Sequence, residues 1–380
     1  MREIEKLLIE LIKIPSPNPP GYTNEIANHI ASELEKTKIK VEVKGRVKRK
    51  MNVIARIEGE MEGKIIFNSH IDTVPIGNIK NWTVNPYGGE IRNNKIYGRG
   101  SSDCKAGVAA MMTAAKEIAE SKPKHTIELH LVCDEETGGR NGTLHLAEMG
   151  YAEKAIAAIS GEPCYNEKDN IRINVTAKGL IWMEVKIYGK AAHASTPNLG
   201  INAIERAAKI IEKLKAMPLP NITHKHVGPP TLTINMIKGG VKVNVIPDTC
   251  KIKLDRRITP QEDPKEAAKQ IINEIESLKD IYSNLKYDYK VIKVWPPSET
   301  SEQEPIVQYT KTIMEQIIGK PPTISGIWGG TDMWIYRRRG IPTIHVGPGT
   351  SGNSHINDEY TETTPLHTAK KLYTTIMTKY

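Results

Sequence analysis

The stretch LHLVCDEETGG, from Leu129 to Gly139, joins an apolar segment to two adjacent carboxylates, Glu135 and Glu136, and a glycine turn. Apolar and polar side chains alternate from Thr126 to Val132, and this period of two predicts a strand. Loops at the carboxyl ends of strands line the ligand crevice of open α/β sheets. Neighbouring carboxylates repel each other unless positive charge or a proton separates their roles, so the stretch is a candidate reactive site. Taken alone, it is also consistent with a solvated acidic turn.

Other predicted strands lie before and after this stretch, and predicted helices lie between them. Strands are predicted at Asn52–Ile57, Lys64–Ser69, Thr126–Val132 and Ala155–Ser160, and helices at Thr23–Thr37 and Ala106–Ser121. Strands that alternate with helices predict an α/β fold built on a mixed sheet.

The pattern changes near Asn174. Strands are predicted at residues 175–190, Pro230–Ile237 and Val241–Arg257, and helices at Ile201–Lys215 and Pro264–Leu278. This order is typical of a split βαβ, ferredoxin-like α+β module. After Lys293 the first pattern returns, with a helix at Glu304–Ile318, a strand at Pro342–Val346 and a last helix from Pro365. We therefore expect a catalytic domain formed by residues 1–173 and 294–380, interrupted by an inserted domain at residues 174–293.

Composition narrows the classes of function. Lys and Arg outnumber Asp and Glu by 53 to 44 in 380 residues, a net charge of +9 that suits an acidic substrate or partner. The basic residues are scattered and accompany no nucleic-acid module, so nucleic acid is not an expected partner. The four cysteines form no CxxC pair, the amino-terminal segment has no signal-peptide core, and no apolar run could cross a membrane. We expect a cytoplasmic protein.

Further acidic and imidazole residues follow the predicted strands. His70 and Asp72 lie in SHIDTVP, Asp103 in YGRGSSDCKAG, Glu162 in SGEP, and His355 in GTSGNSHINDEY. Each is compatible with an ordinary polar loop residue, and Asp103 with a helix N-cap. Unrelated loops would rarely give the same placement in every case, so these residues point to one shared site.

The motifs SHIDTVP, YGRGSSDCKAG, DEETGG, SGEP, GKAAHAS, NVIPD and SHINDEY occur in an order that resembles one family. It is the acetylornithine deacetylase and succinyl-diaminopimelate desuccinylase family of dinuclear zinc amidohydrolases and metallopeptidases. The resemblance spans nearly the whole chain. It implies that His70 and Glu162 bind one metal ion, that Glu136 and His355 bind the other, and that Asp103 bridges them. The implied ions are zinc, with cobalt or manganese as alternatives that suit the same ligands.

The resemblance also implies how the amide bond is cleaved. Glu135 would be the general base towards a water shared by the two cations, and later the general acid. Asp72 is expected to accept a hydrogen bond from the imidazole of His70. His193, in GKAAHAS, would support the developing oxyanion. In dimeric members this histidine reaches the partner's site, which implies a homodimer formed through the inserted domain.

Substrate contacts are expected in three motifs. Arg257 of LDRRITP, in the D-x-R position of the family pattern, is expected to bind a substrate carboxylate bidentately. Its neighbour Arg256 is expected to face solvent. Asn244 of NVIP and the pair Gly330 and Thr331 of GGTDMW are further candidates.

Lys178 departs from the family pattern. Desuccinylases commonly have arginine before the glycine that opens the insert's first strand, whereas this chain has Lys178 before Gly179. A lysine binds a carboxylate only as a point charge, so the acyl group stays open.

The sequence thus predicts a hydrolase of N-acyl amino acids from a lysine- or arginine-related pathway. A metallocarboxypeptidase or dipeptidase of the same family would use the same residues. A third alternative, an enzyme that frees an amino acid from an acidic carrier protein, is compatible with the net charge of +9. A catalytically dead binding protein is disfavoured because all five ligand positions and Glu135 are filled.

Overall fold

The computed structural model describes residues 1–168 and 170–380, which divide into two compact units. The first unit comprises Met1–Val175, Glu299–Gly326 and Thr331–Tyr380. The second comprises Thr176–Ser298 and Ile327–Gly330. The second unit therefore takes in a short late segment that an insert at residues 174–293 does not contain.

Helices and strands alternate along most of the chain. The helices are α1 (Glu3–Lys13), α2 (Asn24–Glu35), α3 (Lys105–Glu117), α4 (Thr143–Glu148), α5 (Ala203–Ala216), α6 (Pro264–Glu276), α7 (Pro305–Ile318), α8 (Trp334–Arg337) and α9 (Thr363–Lys379). The strands up to the second unit are β1 (Lys40–Val47), β2 (Lys50–Ile57), β3 (Met61–His70), β4 (Glu90–Arg92), β5 (Lys95–Tyr97), β6 (His125–Val132), β7 (Ala155–Asn166), β8 (Asn170–Ile171) and β9 (Ile173–Ala177). The remaining strands are β10 (Gly179–Tyr188), β11 (Ala192–His193), β12 (Thr231–Gly239), β13 (Val245–Ile246), β14 (Thr249–Ile258), β15 (Lys286–Trp295), β16 (Ser298–Glu299), β17 (Ile324–Ile327), β18 (Thr343–Thr350) and β19 (Tyr360–Glu362).

A mixed sheet forms the centre of the first unit, as predicted. Its main path runs β1-β2-β6-β3-β7-β18-β9-β16. Strand β3 pairs parallel with β6 and with β7, and β7 pairs parallel with β18. The carboxyl ends of these four strands therefore meet at one edge of the sheet, where ligand sites of such sheets form.

Buried helices cover this sheet. In α1, Ile4, Leu7, Leu8, Leu11 and Ile12 form a buried stripe at helical spacing. Helix α3 is rich in alanine and methionine and is buried over most of its length. Gly107 of α3 allows the helix to approach the strands closely. A Cβ atom at this position would lie 2.5 Å from the carbonyl oxygen of Gly161.

The second unit contains an antiparallel sheet in the order β12-β14-β10-β15. Alternate residues of β10, among them Ile181, Met183 and Val185, join a core with α5 and α6. The order β10-α5-β12-β14-α6-β15 is that of the predicted split βαβ module.

Two predicted strands of this region are interrupted in the structure. The first divides into β9 and β10 at Lys178. The second, predicted at Val241–Arg257, divides into β13 and β14, and residues 241–244 lie outside any strand. Pro247 separates these two strands, because proline cannot donate to a sheet ladder.

None of the helices in the described residues combines the length and the apolar character needed to cross a bilayer. Cys104, Cys133, Cys164 and Cys250 are free thiols, and all four are buried.

Candidate metal centre

Five ionisable side chains converge at the carboxyl edge of the parallel strands in the first unit. His70 Nε2 lies 2.9 Å from Asp103 Oδ1 and 3.8 Å from Glu162 Oε1. His355 Nε2 lies 3.2 Å from Asp103 Oδ2 and 3.2 Å from Glu136 Oε2. The two carboxylate oxygens of Asp103 therefore face two different histidines, one from each side.

The side chains form two groups that share Asp103. In each group the candidate ligand atoms lie within 4.8 Å of one another. One group contains His70, Glu162 and the buried thiol of Cys104, and the other contains Glu136 and His355. Carboxylate oxygens and imidazole nitrogens suit zinc, manganese or cobalt, and a carboxylate can link two such ions through its two oxygens. The donor set thus fits a pair of divalent cations.

The charges of the site favour added cations. Burial, followed by the charges of Asp103 and other nearby carboxylates, raises the pKa of Glu162 to about 8, although His70 opposes the shift. Hydrogen bonds to Asp103 and Glu136 raise the pKa of His355 to about 10. At neutral pH, protons on these side chains therefore offset the negative charge of the carboxylates. Bound cations would offset the same charge.

The imidazole of His70 is oriented differently from the prediction. Its Nδ1 lies 2.9 Å from the backbone carbonyl oxygen of Asp72, while the Asp72 carboxylate Oδ1 is 3.6 Å away. The carbonyl can only accept, so Nδ1 donates to it, and Nε2 is the nitrogen that would bind a cation on the side of Asp103. Without a cation, Nε2 donates to the Asp103 carboxylate 2.9 Å away. The backbone carbonyl of Asp72, more than its carboxylate, orients this ring.

The Asp72 carboxylate binds two other groups. Oδ2 accepts a hydrogen bond from Asn18 Nδ2 at 2.8 Å, and Oδ1 accepts the backbone N–H of Glu135 at 3.2 Å. Asp72 thus connects the strand end that carries His70 with the turn that carries Glu135. Asn18 belongs to no recognised motif, and its only signal in the sequence is its position inside SPNPP.

Glu135 lies in a single 3₁₀ turn, Glu135–Thr137, directly after β6. Asp134 precedes the turn in a left-handed conformation, with φ of 74°. The Asp134 carboxylate accepts hydrogen bonds from Lys50 at 2.9 Å and from Asn141 Nδ2 at 2.7 Å, which fix this unusual conformation. Glu135 itself is buried.

The GGTD segment is divided between the units. Gly330 belongs to the second unit, where a Cβ atom would lie 2.1 Å from Trp295 Cε3. Thr331 belongs to the first unit and is buried, with Oγ1 2.9 Å from His345 Nε2. The next residue, Asp332, is a buried carboxylate that accepts a hydrogen bond from Thr143. Substrate contacts of Gly330 and Thr331 stay predictions.

The second unit carries the predicted oxyanion residue on its surface. His193 is exposed, and its Nδ1 accepts the backbone N–H of Ser195 at 3.1 Å. The neutral ring therefore carries its proton on Nε2, as a hydrogen-bond donor must. Asn244 is exposed and its carbonyl accepts the N–H of Ala194 at 3.1 Å.

Strand β14 carries two adjacent arginines, and one of them, Arg256, is not placed as predicted. Arg257 forms a bidentate pair with Asp255, at 2.8 and 3.0 Å. Arg256 was expected to face solvent, but it is fully buried. Its guanidinium binds Glu262, which lies six residues later, where the chain folds back over the strand.

Lys178 is also buried. Its Nζ donates a hydrogen bond to the carbonyl of Pro229 at 2.6 Å and lies 4.5 Å from the centre of the Trp328 ring.

Comparison with known proteins identifies relatives across most of the chain. The sequence model of peptidase family M20/M25/M40 matches residues 66–379. A succinyl-diaminopimelate desuccinylase of Wolinella succinogenes is 30% identical over 283 residues, which cover 73% of this chain and 74% of that protein. An uncharacterised metallohydrolase of Methanococcus maripaludis is 28% identical over 339 residues, covering 81% and 80%.

Solved structures share the fold. An M20 family metallo-carboxypeptidase of Sulfolobus solfataricus superposes with a TM-score of 0.83 and 21% identity, covering 100% of this chain and 99% of that chain. An aminopeptidase of Bacillus cereus gives a TM-score of 0.79 and 23% identity, covering 98% and 97%.

Proposed function

The chain belongs to peptidase family M20/M25/M40 and is a metal-dependent amide hydrolase, and we propose that it acts on N-acyl amino acids. The observation that carries the proposed chemistry, hydrolysis by a pair of cations, is the placement of Asp103, whose two carboxylate oxygens face the two histidines at 2.9 and 3.2 Å. Relatives named as desuccinylases favour an acylated amino acid as the substrate class.

Two divalent cations complete the proposed site. His70 and Glu162 would hold one ion, Glu136 and His355 the other, and Asp103 would contribute one oxygen to each. Such ions, when bound, polarise the scissile carbonyl and lower the pKa of a water molecule. Zinc is the expected ion, and cobalt or manganese suits the same ligands.

Glu135 is the proposed general base and acid. Burial and the charge of Glu162 raise its pKa, so its carboxylate holds a proton more readily than an exposed glutamate would. Glu135 would take the proton of the attacking water and deliver it to the leaving nitrogen. Its backbone N–H is fixed on Asp72, which supports a defined orientation.

His193 is proposed to support the developing oxyanion. A neutral imidazole can stabilise the oxyanion only through an N–H that is free to donate. The hydrogen bond from Ser195 to Nδ1 leaves the proton on the exposed Nε2 of His193, which meets this condition.

Arg257 is proposed to bind the substrate's carboxylate. Asp255 already holds its guanidinium in a planar, bidentate geometry, which orients the remaining N–H groups. Lys178 has its ammonium engaged with the Pro229 carbonyl, so it is a weaker candidate for an acyl carboxylate.

Replacing Arg257 by lysine should raise KM by about 10- to 100-fold, because hydrogen bonds to charged groups are worth about 1.5–3 kcal/mol. The value of kcat should change much less, since the carboxylate itself does not react and its binding is the same in the ground state and the transition state. The check is steady-state kinetics on a substrate and on its carboxamide analogue. The substitution should hardly affect the carboxamide. Lys251→Ala, an exposed change on the same strand, is the matched control. An equal loss on both substrates would contradict the assignment.

A substrate screen tests the function. Metal-reconstituted protein is incubated with N-acetyl and N-succinyl amino acids, dipeptides, and an amino acid linked to an acidic carrier protein, and amine release is measured. We expect the simple N-acyl amino acids to be the best substrates. Preferential cleavage of dipeptides or of the carrier conjugate would replace the proposal by one of the family's alternatives.

A homodimer formed through the second unit is also proposed. Strand β12 lies at an edge of the antiparallel sheet and exposes Met236 by 60% and Ile237 by 55%. Val241 and Val243 follow it, exposed by 90% and 101%. An edge strand with exposed apolar residues is a template for pairing with a second chain.

Replacing Ile237 by aspartate should convert the dimer to a monomer, because a charge on the paired edge must be desolvated. Light scattering on eluted protein measures the mass directly. Ile281→Asp, at an even more exposed apolar position elsewhere in the unit, should leave the dimer intact. A wild-type protein that is monomeric and fully active would overturn both the dimer and the role of His193 in a partner's site.

A further inference from the structure

One buried carboxylate outside the ligand set connects two of the loops that carry ligands. Glu359 has no exposed surface. Its Oε1 accepts the backbone N–H groups of Ser102 at 2.9 Å and Asp103 at 3.0 Å. Its Oε2 accepts the N–H of Gly100 at 3.1 Å and the Arg99 guanidinium at 2.6 Å.

Both carboxylate oxygens of Glu359 act as acceptors in these contacts. All four partners are donors, and none of them could accept the proton of a neutral carboxyl group. Arg99 is itself only 2% exposed, so the two charges compensate each other in a buried setting. Charge-assisted bonds of this kind are about twice as strong as neutral ones.

Glu359 belongs to the loop of His355, four residues further along the chain. The main chain adds to the connection, since the carbonyl of Glu359 accepts the N–H of Gly98 at 2.8 Å. Residues 98–103 and 355–359 are therefore held together through both oxygens of one side chain and through the backbone. Gly98 and Gly100 have positive φ, so the Asp103 loop would have wide conformational freedom without this connection.

We propose that Glu359 is a positioning residue that sets the separation of Asp103 and His355. This inference rests on the proposed function, in which these two side chains and Glu136 hold one cation. Asp103 Oδ2 and His355 Nε2 lie 3.2 Å apart, and they come from the two loops that Glu359 joins. The cation on this side takes one ligand from each loop, so its affinity depends on their separation. The cation at His70 and Glu162 draws its other ligands from strand ends that Glu359 does not contact.

The variant Glu359→Gln tests the role. The glutamine amide has only one oxygen that can accept hydrogen bonds. Its NH₂ group would face the N–H donors that bind the second carboxylate oxygen in the wild type, so those hydrogen bonds would be lost. Metal-free protein is titrated with Zn²⁺ by calorimetry, and turnover is followed as Zn²⁺ rises. We expect the affinity for one of the two ions to fall by about 10- to 100-fold, as is usual when a group supporting a ligand is lost. The other ion should bind nearly as in the wild type, and turnover should recover at high Zn²⁺.

Glu362→Gln is the matched control, since Glu362 is three residues away and its carboxylate binds only Tyr165 among the hydrogen bonds described. Unchanged affinities in Glu359→Gln, or a loss of turnover that high Zn²⁺ does not restore, would overturn the inference. A wild-type protein that binds fewer than two ions would instead overturn the proposed function, and the inference with it. If Glu359→Gln does not fold, the same titration on Arg99→Lys decides, with at least a threefold loss for one ion expected and no change contradicting the role.

Discussion

Replacing Glu135 by glutamine is expected to lower kcat by about 10³-fold while two cations stay bound, within the range that a general acid–base contributes. The amide is nearly the same size as the carboxylate but cannot take a proton from water. Its backbone N–H can still bind Asp72, so the turn should keep its shape. Turnover at saturating substrate and metal analysis of the same preparation give the two numbers.

The adjacent residue provides a matched comparison. Glu136→Gln is the same chemical change one position along, but Glu136 contacts His355 at 3.2 Å in the proposed ligand set. This second variant should lose metal as well as activity. If Glu135→Gln keeps wild-type turnover, or if it loses metal as Glu136→Gln does, Glu135 is not the base.

Replacing Asp103 by asparagine is expected to remove metal and activity together. Asparagine supplies one carbonyl oxygen and an NH₂ group, so it can no longer present an acceptor to each of two cations. Loss of the bound ions removes several kcal/mol of transition-state stabilisation, which corresponds to about 10³-fold or more in kcat/KM. Metal content after dialysis and amide hydrolysis are the measurements.

Asp358→Asn serves as the control for this change. The Asp358 carboxylate accepts hydrogen bonds from the N–H and hydroxyl of Thr83, at 2.8 and 2.9 Å, and does not belong to the ligand set. It should keep both ions and near-normal activity. An unaltered circular-dichroism spectrum of Asp103→Asn separates the loss of a ligand from the loss of the fold. Two firmly bound ions in Asp103→Asn would contradict the bridging role.

The central layer of the fold was predictable because its strands carry a strong pattern. Buried parallel strands are apolar and end at polar loops, as β3 and β6 do, and this fixes the edge where functional residues gather. Strand β1 was not predicted, because KVEVKGRV is rich in charge and forms a half-exposed strand at the end of the sheet. The break at Pro247 was missed because alternation continues on both sides of it.

The side chains of the candidate centre were predictable for a related reason. Four of them lie in or just beyond the carboxyl-terminal halves of parallel strands, and Asp103 lies just before α3. Asn18 and Glu359 were not predicted. Asn18 contacts side chains, and Glu359 backbone N–H groups and the Arg99 guanidinium, and all of these come from distant parts of the chain. The prediction for Arg256 was wrong because alternation specifies a face of the strand but not what covers it. In the structure Glu262 folds back and provides a buried partner.

The most direct test of this account is a crystal structure of the metal-loaded protein with anomalous scattering recorded at the zinc absorption edge. Two peaks are predicted, one beside His70 and Glu162 and one beside Glu136 and His355, with the Asp103 carboxylate between them. The absence of peaks at these side chains in a fully active protein would contradict the central claim that a cation pair at Asp103 carries out the hydrolysis.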